Sequence, residues 1–149
     1  MVSLVAVIAI LFLSCTNSYN VKSSLKFDWI EGEVKTAEFN SLEKDDVVEL
    51  ELVTRPGTGY GWYLSEADEK NLSIVKSINT ESYEGLLSGE RIIEPRNDDE
   101  LIIGGPSKVS FKFKVVGGQG KEEVSLKYFR PWEKDSLPYS TIKVTFATK

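Results

Sequence analysis

Histidine is absent from the 149-residue sequence, and cysteine occurs once, at Cys15. Histidine is the usual general base near neutral pH and the commonest zinc ligand. Without it, neither a Ser-His-Asp nor a Cys-His arrangement can be assembled. Carboxylate-pair and lysine chemistry remain formally open, but no local pattern points to either. The requirements of an active site go largely unmet, so the chain is expected to be no enzyme, with no catalytic residue, no cofactor and no metal. What remains is chemistry by contact, and three segments have the residue types for it.

The first is Arg55-Pro56-Gly57-Thr58-Gly59-Tyr60, followed by Gly61-Trp62. Pro56 fixes its own φ and stiffens the entry, while the glycines can take conformations closed to other residues. The product is a tight loop that a partner's backbone can approach closely, or else an ordinary hairpin connection; physics alone does not separate the two. Trp62 is expected in the core of the strand that follows. The second is Arg130-Pro131-Trp132-Glu133. Pro131 cannot donate to a ladder, so Trp132 should ride on a loop. A Trp beside an Arg has the composition of an interface hot spot; the alternative is a Trp folded back on the domain with Arg130 in a salt bridge. The third, Leu101-Ile102-Ile103-Gly104-Gly105-Pro106, follows an acid-rich stretch from Glu94 to Glu100. By itself it is weak, since such charge runs are usually solvated loops.

The elements that must carry these segments are strands. Apolar residues recur with period two at Val48, Leu50 and Leu52, at Val109 to Val115, at Val124, Leu126 and Tyr128, and at Ile142, Val144 and Phe146. Each run reads as a strand with one face in a core and one in water. Shorter candidates fall at Phe27-Asp28-Trp29, Gly61 to Leu64 and Ile74 to Ile78, with a helical turn over Glu66 to Leu72. About seven strands separated by turn signals predict an all-β, immunoglobulin-like antiparallel β-sandwich. Length suits one domain, expected over residues 20–149. Lettering the strands A to G, alternate connections share an end of the sandwich. The B–C loop (Arg55 to Tyr60), the D–E stretch (Thr80 to Ser107) and the F–G loop (Arg130 to Pro138) should therefore cluster at one pole, with Gly117 to Gly120 at the other.

Residues 1–18 have the apolar run of a signal peptide and are too short to span a bilayer, with cleavage expected at about 15–20. No Lys or Arg precedes the run, and a buried first strand is the competing reading. Phe12 to Cys15 also faintly resembles a bacterial lipoprotein signal, in which Cys15 would carry lipid; plain cleavage ranks above it. Such a leader would direct the chain to the secretory pathway, where it is expected to be secreted or held in lysosome-like or phagosomal vesicles; a periplasm is also compatible with it. A single cysteine allows no internal disulfide in the mature domain, so packing must hold it. Asn71-Leu72-Ser73 is a glycosylation sequon for a eukaryotic source. A net charge of −5 with interspersed signs offers no basic stripe and argues against nucleic acid as a partner.

Taken together, Arg55-Pro56-Gly57-Thr58-Gly59-Tyr60, Gly104-Gly105 and Arg130-Pro131-Trp132 resemble, in order and in placement between strands, the three loops of the chagasin family of cysteine-protease inhibitors. The family hallmarks are Asn-Pro-Thr-Thr-Gly-Tyr/Phe, Gly-x-Gly-Gly and Arg-Pro-Trp. The resemblance spans most of residues 25–149. Arg55 stands where the family favours Asn, Gly57 where it favours the first Thr, and Ile102 where it favours Gly. What the resemblance implies is a reversible inhibitor of papain-like, cathepsin-like proteases, a monomer that forms a 1:1 complex; the short apolar run of the leader separately predicts no stable membrane span. The B–C loop would enter the cleft, with Thr58 and its flanking glycines as the wedge. The D–E loop (Ile103, Gly104, Gly105) and the F–G loop would brace it, Trp132 acting as anchor and Arg130 orienting its loop. A different class of function on the same architecture is an adhesion or ligand-binding module that inhibits no protease.

Overall fold

The structure is a computed structural model that describes residues 20–28, 32–93, 107–133 and 137–149. The leader with Cys15, and Trp29, Ile103, Gly104 and Gly105, lie outside the described residues.

Eleven strands among the described residues form two sheets around one core. The first sheet has the order β1 (Val21–Phe27), β3 (Val47–Thr54), β9 (Ser107–Val115) and β5 (Val75–Ser77), with β8 (Glu90–Ile92) also pairing to β9. The second runs β2 (Val34–Leu42), β11 (Ser140–Thr148), β10 (Lys121–Phe129), β4 (Gly61–Ser65), β7 (Leu86–Ser88) and β6 (Glu81–Tyr83). The alternation read from the sequence is the alternation of burial: Val48, Leu50, Leu52, Phe111, Phe113, Leu126, Ile142, Val144 and Phe146 are all at most 1 % exposed. Burying these residues from both inner faces is what holds the domain together.

The sandwich is the expected one, with three differences in detail. The first strand is Val21–Phe27, ending before Asp28. An additional strand, β2, lies between it and β3; its sequence, VKTAEFNSL, buries only Ala37, Phe39 and Leu42. A mostly exposed edge strand carries too few apolar residues for the period to show. Because β2 sits in the opposite sheet from β1, the chain crosses at both poles. These two edge strands then run parallel to their neighbours, β1 with β3 and β2 with β11, while every other pairing is antiparallel.

The third difference lies in the D–E stretch. It contains a hairpin, β6–β7, whose two-residue turn places Glu84 and Gly85 at φ +47° and +82°, the both-positive pattern of tight hairpins. After β7 the chain passes to the other sheet at Gly89, where a Cβ would stand 2.7 Å from the Ser110 carbonyl oxygen. Only glycine lets the backbone cross this close. A short helix, α1 (Glu66–Lys70), follows β4, with the Ser65 hydroxyl accepting from the Asp68 N–H.

Strand register fixes the poles. Thr54 pairs with Ser107, Gly61 with Phe129, and Tyr128 with Ser140. The B–C and F–G loops, and the point where the D–E stretch enters β9, therefore lie at one end. The inserted β2 brings the connection between β1 and β2 to this end as well, since Val34 pairs with Thr141 at the start of β11. Residues 117–120, α1 and Asn71 lie at the far pole.

Candidate functional site

The B–C loop is built by local hydrogen bonds. Residues Pro56–Thr58 form a single 3-10 turn, a conformation Pro56 favours at its first position. The Thr58 N–H and hydroxyl both donate to the Arg55 carbonyl oxygen, at 3.2 and 2.6 Å. The same hydroxyl oxygen accepts from the Tyr60 N–H at 3.3 Å. Gly59 closes the turn at φ +81°, its N–H donating to the Pro56 carbonyl. Arg55, Pro56, Gly57 and Thr58 are exposed; Gly59 and Tyr60 are half-buried.

The F–G loop leaves β10 through a turn in which the Glu133 N–H donates to the Arg130 carbonyl. A 3.5 Å ion pair joins the same two side chains. Pro131 is half-buried. Trp132 is 69 % exposed, so this side chain is presented to solvent rather than packed into the core. Trp62, by contrast, is buried, its indole N–H donating to the Val53 carbonyl at 3.0 Å.

The two loops are joined to each other. Arg130 Nε donates to the Thr58 carbonyl at 3.1 Å, and its guanidinium stands 4.5 Å over the Tyr60 ring. The Trp132 ring lies against Gly59 so closely that a Cβ there would meet it at 2.5 Å. Beneath both loops is an aromatic layer: Tyr60 stacks on Tyr128 at 5.4 Å, Trp62 meets Tyr128 at 5.0 Å, and Tyr139 closes on Tyr60 at 5.9 Å. The buried Tyr128 hydroxyl accepts from the Arg55 N–H at 3.2 Å and so pins the start of the loop.

Of the residues singled out in the sequence, Arg55 to Tyr60 and Arg130 to Trp132 thus form one continuous surface. Ile103, Gly104 and Gly105 lie outside the described residues, although Ile93, at the end of β8 on the same pole, is 86 % exposed. Sequence reasoning did not single out Tyr128 and Tyr139 as supports. Tyr128 reads only as a core position of its strand, and the signal that sets it apart is a hydroxyl at the strand end next to Arg-Pro. Asn71 is exposed at the end of α1, far from these loops.

The two loops are tied to each other and to the aromatic layer beneath them, with hydrogen-bonded backbone at the tip and an exposed aromatic beside it, an arrangement suited to contact with a partner. Residues 41–146 match the family model described as chagasin family peptidase inhibitor I42. No curated protein matches the chain. Among solved structures, the cysteine protease inhibitor EhICP2 from Entamoeba histolytica is 20 % identical, with a TM-score of 0.50 over 85 % of this chain and 96 % of its own. PbICP-C, solved in complex with falcipain-2, is 19 % identical, with a TM-score of 0.54 over 85 % of this chain and 99 % of its own.

Proposed function

The chain belongs to the chagasin family of peptidase inhibitors, and we propose that it inhibits papain-type cysteine proteases by lodging the B–C loop in the active-site cleft, with Trp132 as the flanking anchor. The observation that carries this reading is the mutual locking of the two loops: Arg130 bonded to the Thr58 carbonyl, and Trp132 seated on Gly59. A wedge that is ordered before it binds loses little conformational freedom on docking, so more of the contact free energy appears as affinity. Inhibition needs no chemistry from this chain. The loop excludes substrate and offers no peptide bond held for attack, and the complex is 1:1 because a single pole carries the surface.

In this reading the D–E loop, with Ile103, Gly104 and Gly105, is a second bracing contact to the protease beside the F–G loop. The leader routes the chain into the secretory pathway, where it is secreted or meets its target in lysosome-like vesicles. A glycan on Asn71 would sit at the far pole and leave the loops clear.

The test is titration of the mature protein, starting near Asn20, against a papain-type protease with a small fluorogenic substrate, beside Trp132→Ala and Thr58→Asp. Stoichiometric, reversible inhibition is expected. Trp132→Ala should weaken it by roughly 30-fold, the effect of about 2 kcal/mol at a hot-spot aromatic. A folded parent that inhibits no such protease favours an adhesion or ligand-binding module instead.

A further inference from the structure

The two central glycines of the B–C loop stand there for different reasons. Gly59 is required by the fold: its φ is +81°, and a Cβ would run into Trp132. Gly57 is not. It lies in the middle of the 3-10 turn, outside the left-handed region, and nothing stands within 4 Å of where its Cβ would project. At such a position glycine only adds conformational freedom to the unfolded chain, and alanine would stabilise the protein. The fold therefore gives no reason for the missing side chain.

Its neighbours sharpen the point. The Thr58 hydroxyl is spent on the Arg55 carbonyl and the Tyr60 N–H, and Pro56 has no N–H to offer. At the exposed tip, the surface at Gly57 is therefore bare backbone. A side chain left out where the fold would accept one turns attention to whatever comes against that backbone.

We propose that Gly57 is a specificity-determining residue, one that admits papain-type proteases whose cleft walls close in around the reacting sulfur and would reject a loop bearing a side chain there. This rests on the inhibitor reading above. Selectivity of this kind comes from a clash built against one partner and absent from another.

The experiment compares the parent with Gly57→Ala and Gly57→Thr. Inhibition constants are measured against a set of papain-type proteases that includes enzymes with open clefts and enzymes with partly occluded ones, and thermal unfolding is followed in parallel. Gly57→Ala should raise Tm by about 2–4 °C. Gly57→Thr should weaken inhibition of the occluded enzymes by roughly tenfold or more and leave the open ones within about threefold. A uniform change across the set, or none, in variants that unfold at or above the parent's Tm, overturns the proposal and leaves the inhibitor reading standing. A parent that inhibits none of the set overturns both.

Discussion

At the scale of single residues, the loop surface divides into groups that face a partner and groups that hold those in place. Gly59 is the sharpest case of the second kind. Alanine there must take a left-handed conformation, at a cost of about 1–2 kcal/mol, and its methyl would enter the space of the Trp132 ring. The lesser movement is for the indole to swing away, because it is tethered only through its own χ angles and is already mostly exposed. Gly59→Ala should therefore lower Tm by a few degrees and weaken inhibition more than that loss of stability explains. A red-shifted or enhanced Trp132 emission change, read against a Trp132→Phe background, would locate the effect at this contact. An unchanged spectrum with full inhibition would show that the indole does not depend on Gly59.

At the scale of elements, the question is what makes two loops from different strand pairs act as one surface. Arg130 does so with two features that lysine lacks together, an Nε–H aimed at the Thr58 carbonyl and a flat cation over Tyr60. Arg130→Lys keeps the charge and should weaken inhibition by roughly tenfold, about 1.4 kcal/mol, with little change in Tm. Amide exchange at Thr58, Gly59 and Tyr60 should quicken while the strands stay protected. Uniform exchange with weakened inhibition would instead assign Arg130 to direct contact with the protease. The elements themselves were legible to the extent that they are half-buried. Strands β3, β9, β10 and β11 announce themselves through clean alternation, and order with parity then puts their loops at one pole. The short β6, β7 and β8 escape because three residues cannot establish a period, and β2 escapes because its exposed face is nearly continuous. Of the site, the wedge and Trp132 were visible as motifs. The support from Tyr128 was not, because a tyrosine needed for its ring in the core and for its hydroxyl at the loop looks the same in sequence.

At the scale of the whole molecule, the far pole adds ionic and hydrogen-bonded carboxylates to the packed core, and these give the domain a definite response to acid. Glu122, at the start of β10, reaches across to the residues after α1. Burial alone would raise its pKa, but that is outweighed by hydrogen bonds from the Ser73 N–H and hydroxyl and from the Ile74 and Val75 N–H groups, which hold the carboxyl below its ordinary value of 4.5. Asp46 is lowered too, first by the hydrogen bond from Lys22 and then by the Glu43 N–H. A carboxyl whose folded pKa is depressed contributes its full stability above the unfolded value and loses it as pH falls through the folded value. With no histidine in the chain, no side chain of the described domain has an ordinary pKa between about 5 and 8. The Tm should therefore be nearly flat from about pH 5.5 to 8 and fall below about 4.5, so that the domain withstands mild acidity of the kind found in digestive vesicles. Glu122→Gln should cost about 1–2 kcal/mol at pH 7, allowing for the partial exposure of the group, and should make the decline below pH 4.5 shallower than in the parent. Thermal unfolding of both proteins across pH 3 to 8 decides it. An acid-side decline of the same depth in Glu122→Gln would place the acid response with the Asp46 cluster, and a slope between pH 5.5 and 8 would contradict the assignment of stability to carboxylates altogether.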